Sequence, residues 1–155
     1  MTYDSRPDTK AHIRRVHDLL MHCNNNIIQR ARIHDNSKLE EPEKSVFDEV
    51  TPKLKAMTYG SDEYKASLAE MGEALTHHYA HNSHHPEHHK DGIEGMSLFD
   101  VVEMLMDWKA ATERHTDGDI HRSIVQNAER FGYPPMLQSI FENTARELGW
   151  EVVTT

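Results

Sequence analysis

The sequence predicts a compact all-α helical bundle, arranged as a single domain over residues 1–155. Apolar residues recur with the period of a helix in one segment after another, and no segment alternates as a half-buried strand does. We find no internal repeat, and 155 residues suffice for one well-formed core but not for two. These observations favour helices packed around one core, with a tail over 1–9, a central part over 10–115 and further helices over 116–155.

The first helix is predicted over residues 10–33, where the apolar side chains recur with a helical period. Asn24, Asn25 and Asn26 interrupt this segment, and asparagine favours caps and turns over helix interiors. The segment is therefore predicted to be helical and is favoured as two helices, with a break or tight turn at the asparagines.

The remaining helices are predicted from caps and breakers. Ser61, followed by two acidic residues, is typical of an N-cap and opens a helix toward His78. Gly132 and Pro134 separate the last two helices, and a loop is predicted over 82–95 from its proline and glycines. The predicted helices after the first are 42–55, which Pro52 ends or kinks, 61–78, 97–115, 119–131 and 135–148.

Charge and composition exclude several classes of function. The net charge of −9 and the absence of a basic stripe argue against tight binding to duplex nucleic acid. No run approaches the roughly 18 apolar residues of a membrane span, and no signal peptide is visible, so we expect a cytoplasmic protein that does not bind membranes. The lone Cys23 cannot form an internal disulfide, and any metal must be held by histidine and carboxylate.

Histidine is the unusual feature of the composition, with 13 residues. Seven of them lie in the segment from His77 to His89. His77 and His81 form an i, i+4 pair that can chelate a metal on a helix. The predicted loop offers four more ligands: His84, His85, His88 and His89. Two other interpretations stay open, an adventitious metal-binding surface and a pH-responsive patch.

A second candidate is the pair His34-Asp35 at the end of the first helix. A neutral imidazole beside a carboxylate can hold a divalent cation. Lys38, three residues further on, can place an ammonium group near a phosphate oxygen. The alternative is a polar helix end in which Asp35 is solvated and Lys38 is a surface cation.

The third candidate is Asp107, in the largely apolar helical segment MLMDWKAA. A carboxylate is costly there unless it is paired or binds a metal. From this segment alone, pairing with a Lys or Arg of a neighbouring helix is the preferred interpretation. Glu103, one turn earlier, is placed to orient a ligand histidine.

An upstream histidine is the fourth candidate, and His12, His17 and His22 compete for this role. At about 100° per residue, His12 lies near the middle of an apolar stripe, whereas the other two point away from it; the stripe consists of Val16, Leu19, Cys23 and Ile27. A continuous helix would separate His12 from His34 by about 33 Å, so both can bind one metal only if the chain folds back, for example at the asparagines. If the chain turns at the asparagines, His17 is better matched in register to His34 than His12 is. His17 is therefore the alternative candidate for the upstream ligand.

Taken in order, these units resemble the HD-domain superfamily of metal-dependent phosphohydrolases. They are the upstream histidine, His34-Asp35-Asn-Ser-Lys38, His84-His85-Pro-Glu87 followed by Asp91-Gly92, and Asp107. The HDxxK form and the paired histidines look most like the HD-GYP branch, and the whole chain looks like an uncharacterised HD-like family of bacteriophages and bacteria. The likeness covers roughly residues 10–115. The GYP triplet is absent, so specificity for a cyclic dinucleotide is not implied.

The resemblance implies a ligand set for one or two metal ions. Seven residues belong to it: His12, His34, Asp35, His78, His84, His85 and Asp107. The upstream histidine, the HD pair and the helical aspartate would hold the first ion, and the three clustered histidines a second, with Asp35 bridging. Lys38 would contact the substrate phosphate, so Asp35 and Lys38 are the candidate catalytic residues. The metal would be Mn, Fe, Ni, Co or Zn, with Mg as a further option.

The expected function is hydrolysis of a phosphate ester, on a nucleotide or another small phosphate substrate. A bound metal would activate a water molecule, and His81 or His88 would protonate the leaving oxygen. Two alternatives stay open: an HD-type di-iron oxygenase acting on an alcohol or phosphonate, and a non-catalytic phage protein stabilised by metal. The setting would be the cytoplasm of a bacterium or a phage-infected host cell, and homo-oligomer formation is left open.

Overall fold

The computed structural model describes residues 3–58 and 60–150, and this part of the chain contains α-helices, three short 3-10 helices and no strand. The predicted all-α fold is confirmed. The chain divides into two compact units, the first ending at His34 and the second beginning at Asp35. Within the same described ranges, no helix has both the length and the apolarity that crossing a bilayer requires. The helices are α1 (Arg6–Ile33), α2 (Glu43–Lys55), α3 (Asp62–Ala69), α4 (Gly72–His81), α5 (Leu98–Thr112), α6 (Ile120–Phe131) and α7 (Pro135–Glu147).

The first unit is built around α1, a continuous helix of 28 residues. The turn considered at the three asparagines does not form, because their low helix propensity costs only about 2 kcal/mol in total and the helical apolar pattern continues on both sides. α1 begins at Arg6, so residues 6–9, predicted as tail, are helical, with Pro7 in the first turn where its missing N–H is harmless. None of the residues of α1 is buried.

In the second unit, α2, α3 and α4 pack together ahead of the histidine-rich segment. Ser61 caps α3 as predicted, and its side chain accepts a hydrogen bond from the Tyr64 N–H. The helix predicted to run from there to His78 is two helices, because the chain adopts a left-handed conformation at Gly72, with φ of +51°. α2 continues past Pro52 to its last residue, so the proline does not end it.

The largest buried cluster joins α5, α6 and α7. Trp108 on α5 stands edge-on to Phe141 of α7, with ring centroids 5.6 Å apart, and Tyr133 contacts the same phenyl ring at 5.4 Å. The buried members are Met104, Leu105, Trp108, Ile120, Ile124, Tyr133, Phe141 and Ala145. This packing fixes the position of α5, the helix that carries Glu103 and Asp107.

Asp100 ties the loop between α4 and α5 to the start of α5. Ser97 and Asp100 form a capping box, in which each side chain accepts a hydrogen bond from the other residue's backbone N–H. The second carboxylate oxygen of the buried Asp100 accepts a hydrogen bond from Ser83 Oγ at 2.6 Å. The next two loop residues, His84 and His85, are thereby held close to α5.

Candidate metal centre

Asp35 is the first residue of the second unit and directly precedes a 3-10 helix, Asn36–Leu39. Its backbone is left-handed, with φ of +57°, a conformation that aspartate and asparagine adopt more readily than most residues. Lys38 folds back from this turn, and its Nζ lies 2.5 Å from Asp35 Oδ2. The Asp35 side chain is only 15% exposed, so the ion pair is largely shielded from water.

His78 projects from α4 and is buried in the site. Its Nδ1 donates to Glu43 Oε2 at 2.9 Å, which leaves Nε2 as the acceptor nitrogen of a neutral ring. That Nε2 lies 3.5 Å from Asp35 Oδ1 and 2.9 Å from His85 Nε2. The ring is therefore oriented with its lone pair toward Asp35 and His85.

Glu43, in the first turn of α2, is the carboxylate that orients His78. It is fully buried and also accepts hydrogen bonds from His77 Nδ1 at 2.7 Å and from Ser37 Oγ at 3.0 Å. Asn82 completes the network by donating to Ser37 Oγ and to the His78 carbonyl, both at 2.8 Å. Burial alone would raise the pKa of Glu43, but the bonds from His77, Ser37 and His78 lower it below its usual value. Glu43 is thus an anion that fixes the tautomer of His78.

His84 and His85 reach the site from the loop that follows α4. His84 is buried, and its Nδ1 lies 3.2 Å from Glu103 Oε1 of α5. Its Nε2 lies 3.4 Å from Asp35 Oδ1. Glu103 was predicted to orient a ligand histidine, and the histidine that it contacts is His84, whose role as a ligand stays a prediction. His84 therefore has the same arrangement as His78, with a carboxylate behind one nitrogen and Asp35 in front of the other.

Four side chains converge in this way: Asp35, His78, His84 and His85. Each offers one oxygen or nitrogen atom, and the four atoms lie within 4.8 Å of one another. Imidazole nitrogen and carboxylate oxygen are donors that Zn, Fe, Mn, Co and Ni accept in proteins. Carboxylates that contact the far nitrogen of a histidine are a common feature of metal sites. The donor set fits a divalent transition metal.

The electrostatics of the site keep two of these imidazoles neutral. Burial lowers the pKa of His78 and the charge of Lys38 lowers it further, against the opposite effects of Asp35 and Glu43. Burial beside His84 and His78 lowers the pKa of His85 to about 3. Because a metal binds the neutral ring, His78 and His85 need lose no proton to become ligands at neutral pH.

Asp107 lies on α5, one turn beyond Glu103. One of its carboxylate oxygens lies within 4.8 Å of one from Asp35. Its negative charge also acts on His85, whose pKa it raises against the larger effect of burial. The structure therefore brings Asp107 to the edge of the convergent set and provides a second carboxylate there.

His12 and His34 cannot share one metal ion within one chain, contrary to the prediction. α1 is continuous between them and, at 1.5 Å per residue, separates them by about 33 Å. The reserve residue, His17, is separated from His34 by about 26 Å for the same reason. His34 itself follows the last residue of α1 and directly precedes Asp35, and its role as a ligand stays a prediction.

The other histidines of the segment have different contacts. His77 and His81, predicted as a chelating pair, are stacked on each other with ring centroids 3.9 Å apart. His81, His88 and His89 each donate to a backbone carbonyl oxygen of residues 77–83, at 2.8–2.9 Å. The His88 bond joins the loop to α4, the His81 bond lies within α4 and the His89 bond lies within the loop. Proton donation to a leaving group by His81 or His88 stays a prediction.

Glu43 is the residue of the site that sequence reasoning missed. It follows Glu40 and Glu41, so it resembles one more member of a solvated acidic run. The packing of α2 against α4 brings it under His77 and His78 and buries it. Glu43 is 34 positions from His77 and 35 positions from His78 in the sequence. No local sequence pattern predicts a contact over that distance.

The fold and the site define an all-α protein with a cluster of histidines and acids that could hold a metal ion. One family model matches residues 1–148, and it describes a family of unknown function (DUF5662). The chain belongs to this family. No curated protein and no solved structure matches the chain.

Proposed function

We propose that this protein is a metal-dependent phosphohydrolase that acts on a nucleotide or another small phosphate ester. The observation that carries the proposal is the convergence of Asp35, His78, His84 and His85 within 4.8 Å, beside the ammonium group of Lys38. The order of the motifs along the chain, which resembles that of HD-domain phosphohydrolases, supports the same conclusion.

The four convergent residues would hold the metal, and Asp107 is the candidate for extending the set. A divalent metal bound there supplies Lewis-acid chemistry, because it lowers the pKa of a water molecule and offsets the charge of a phosphate. Glu43 contacts Nδ1 of His78, and Glu103 contacts Nδ1 of His84. These contacts orient the two rings so that both Nε2 atoms point toward Asp35. These residues prepare the donor set before any ligand arrives.

Lys38 supplies a fixed positive charge for the phosphate. Residues 35–155 contain 11 Lys or Arg and 23 Asp or Glu, a net charge of −12, so the general field of the second unit repels anions. The Lys38 side chain is 27% exposed and lies against Asp35, which keeps its charge at the site and within reach of solvent. There it can donate to a phosphate oxygen and stabilise charge that develops on it.

The test measures metal content and hydrolysis together. Untagged protein is stripped with a chelator, reloaded separately with Mn, Fe, Ni, Co, Zn or Mg, and assayed on nucleoside phosphates and bis(p-nitrophenyl) phosphate. We expect hydrolysis with at least one metal, and Lys38→Met should lower kcat/KM about 10²–10³-fold while metal content stays unchanged. His84→Gln should lose metal and activity, whereas His89→Gln, from the same segment, should keep both.

Two results would contradict this proposal. Stoichiometric metal without hydrolysis of any ester would favour a non-catalytic metal site. Iron-dependent absorption in the visible range with consumption of dioxygen would favour an oxygenase.

A further inference from the structure

α1 carries an apolar stripe along one side: Ile13, Val16, Leu20, Cys23 and Ile27. Ile13 is 62% exposed and Leu20 is 63% exposed, and no residue of α1 is buried. In water, most of the stability of a protein helix comes from packing of its apolar face rather than from helix propensity. The stripe therefore lacks the packing that would stabilise a helix about 42 Å long.

The spacing of the stripe is that of a helix-pairing seam. Its residues are separated alternately by three and four positions, as the a and d positions of a heptad repeat are. A helix that lies on a membrane surface commonly contains aromatic residues on its apolar face. The stripe contains no aromatic residue. These features favour another helix as its occupant.

The positions beside the seam favour a second copy of α1 as that helix. Between residues 12 and 31 they are occupied by His12, His17, Leu19, Asn24, Asn26 and Ala31. With histidine neutral, none of these side chains is charged, so two copies meet without like-charge repulsion beside the seam. The same positions carry no charge pattern that would select a different helix. We propose that α1 pairs with α1 of a second copy of this chain, in antiparallel orientation.

The two units of the chain carry opposite net charges. Residues 1–34 contain six Lys or Arg and three Asp, a net charge of +3, whereas residues 35–155 carry −12. The basic α1 of one copy is therefore attracted to the acidic second unit of another copy, which favours association of two copies over association with an unrelated basic helix.

Arg30 favours the antiparallel orientation. It occupies the seam position after Ile27, where parallel pairing would place two guanidinium groups face to face. In the antiparallel register, Arg30 meets Ile13 of the second copy and its aliphatic stem can pack there. The same register sets Val16 opposite Ile27. The inference does not depend on the chemistry proposed for the metal site.

Sedimentation equilibrium of the full chain tests the interface. We expect a wild-type dimer whose Kd rises about tenfold or more in Leu20→Gln with Ile27→Gln. The matched control is Met21→Gln with Ile28→Gln, two apolar residues that are 47% and 39% exposed and lie off the seam, and it should leave the Kd unchanged. Near-ultraviolet circular dichroism of the core around Trp108 reports whether the second unit stays folded. A monomeric wild type, or equal effects of the two double variants, would overturn the proposal.

Disulfide trapping tests the orientation with smaller changes. In a Cys23→Ser background, proteins carrying Val16→Cys and Ile27→Cys are oxidised separately and as a mixture. Antiparallel pairing predicts a crosslinked dimer in the mixture and none with either protein alone. Crosslinking of each protein by itself would show parallel pairing and overturn the proposal. A monomer that binds vesicles of anionic phospholipid through α1 would overturn it in favour of a membrane surface.

Discussion

Six of the seven histidines of residues 77–89 fall into an inner group, whose rings converge with Asp35, and an outer group, whose rings bond to the backbone. In the inner group, His78, His84 and His85, two rings set Nδ1 against the carboxylates of Glu43 and Glu103. In the outer group, His81, His88 and His89, the rings donate to backbone carbonyls. A carboxylate makes a ring more basic toward a metal and fixes its orientation, whereas a carbonyl bond mainly holds the loop in place. His77 also donates to Glu43 but does not belong to the convergent set, so a carboxylate behind the ring is not sufficient, and convergence with Asp35 is what distinguishes the candidate ligands.

The largest difference between the groups is expected for metal binding. His84→Gln removes a convergent nitrogen, and we expect it to lose stoichiometric metal in elemental analysis. His88→Gln removes an outer ring and is expected to retain the wild-type metal content. If the two variants lose metal equally, the distinction between the groups is wrong and the segment binds ions without a defined site.

Removal of the carboxylate behind His78 is expected to have the next largest effect. Glu43→Gln keeps the shape of the side chain but loses an anion that accepts three hydrogen bonds. Metal affinity should fall about 10–100-fold, and the free energy of unfolding by roughly 2 kcal/mol. Titration with a competing chelator and urea denaturation measure these two quantities.

The control for Glu43 is Glu40→Gln, at an exposed position of the same acidic run. It should change neither metal affinity nor stability measurably. Equal behaviour of the two glutamine variants would mean that the buried network around Glu43 does not support the site.

Stability of the metal-free protein should decrease as the pH falls below 6.5. The pKa of His85 is about 3 in the folded protein, against the usual 6.5, so in this range only the unfolded chain takes up the proton. The contribution of the neutral ring is complete above pH 6.5 and is lost progressively toward pH 3, by about 1 kcal/mol per pH unit. Urea denaturation between pH 6.5 and 5 should show a smaller slope for His85→Gln than for wild type. A flat wild-type profile would refute the assignment.

The smallest effect is expected for an outer histidine. His89 donates to the Ser83 carbonyl at 2.8 Å, so His89→Gln should cost about 0.5–1.5 kcal/mol of unfolding free energy. Metal content and affinity should stay at wild-type values. A large loss of metal in this variant would show that the loop position, rather than the inner rings alone, determines binding.

Most helices could be predicted from the sequence because their signals are local. Ser61, Ser97 and Asp119 cap helices close to the predicted starts. The errors arose where local preferences were weak or opposed. The asparagines in α1 were overridden by the helical pattern around them, and the left-handed Gly72 divided a segment that otherwise has a helical period.

The candidate site was predictable only in part. Asp35, the paired histidines and Asp107 stand out because such residues are rare in these settings, and the structure brings them together. Glu43 has no such signal, because its burial depends on α2 packing against α4. His12 was assigned inward from its position on an apolar stripe, but that stripe belongs to a helix in which no residue is buried.

The left-handed backbone conformation of Asp35 limits which residues can replace it. Glycine would relieve the backbone but remove the carboxylate, and asparagine would keep the shape but not the charge. Glutamate, the usual conservative exchange, would keep the charge but would bear a backbone penalty of about 1–2 kcal/mol that aspartate reduces by local hydrogen bonding. Only aspartate meets both requirements, so a family member with another residue here has given up either this turn or this ligand.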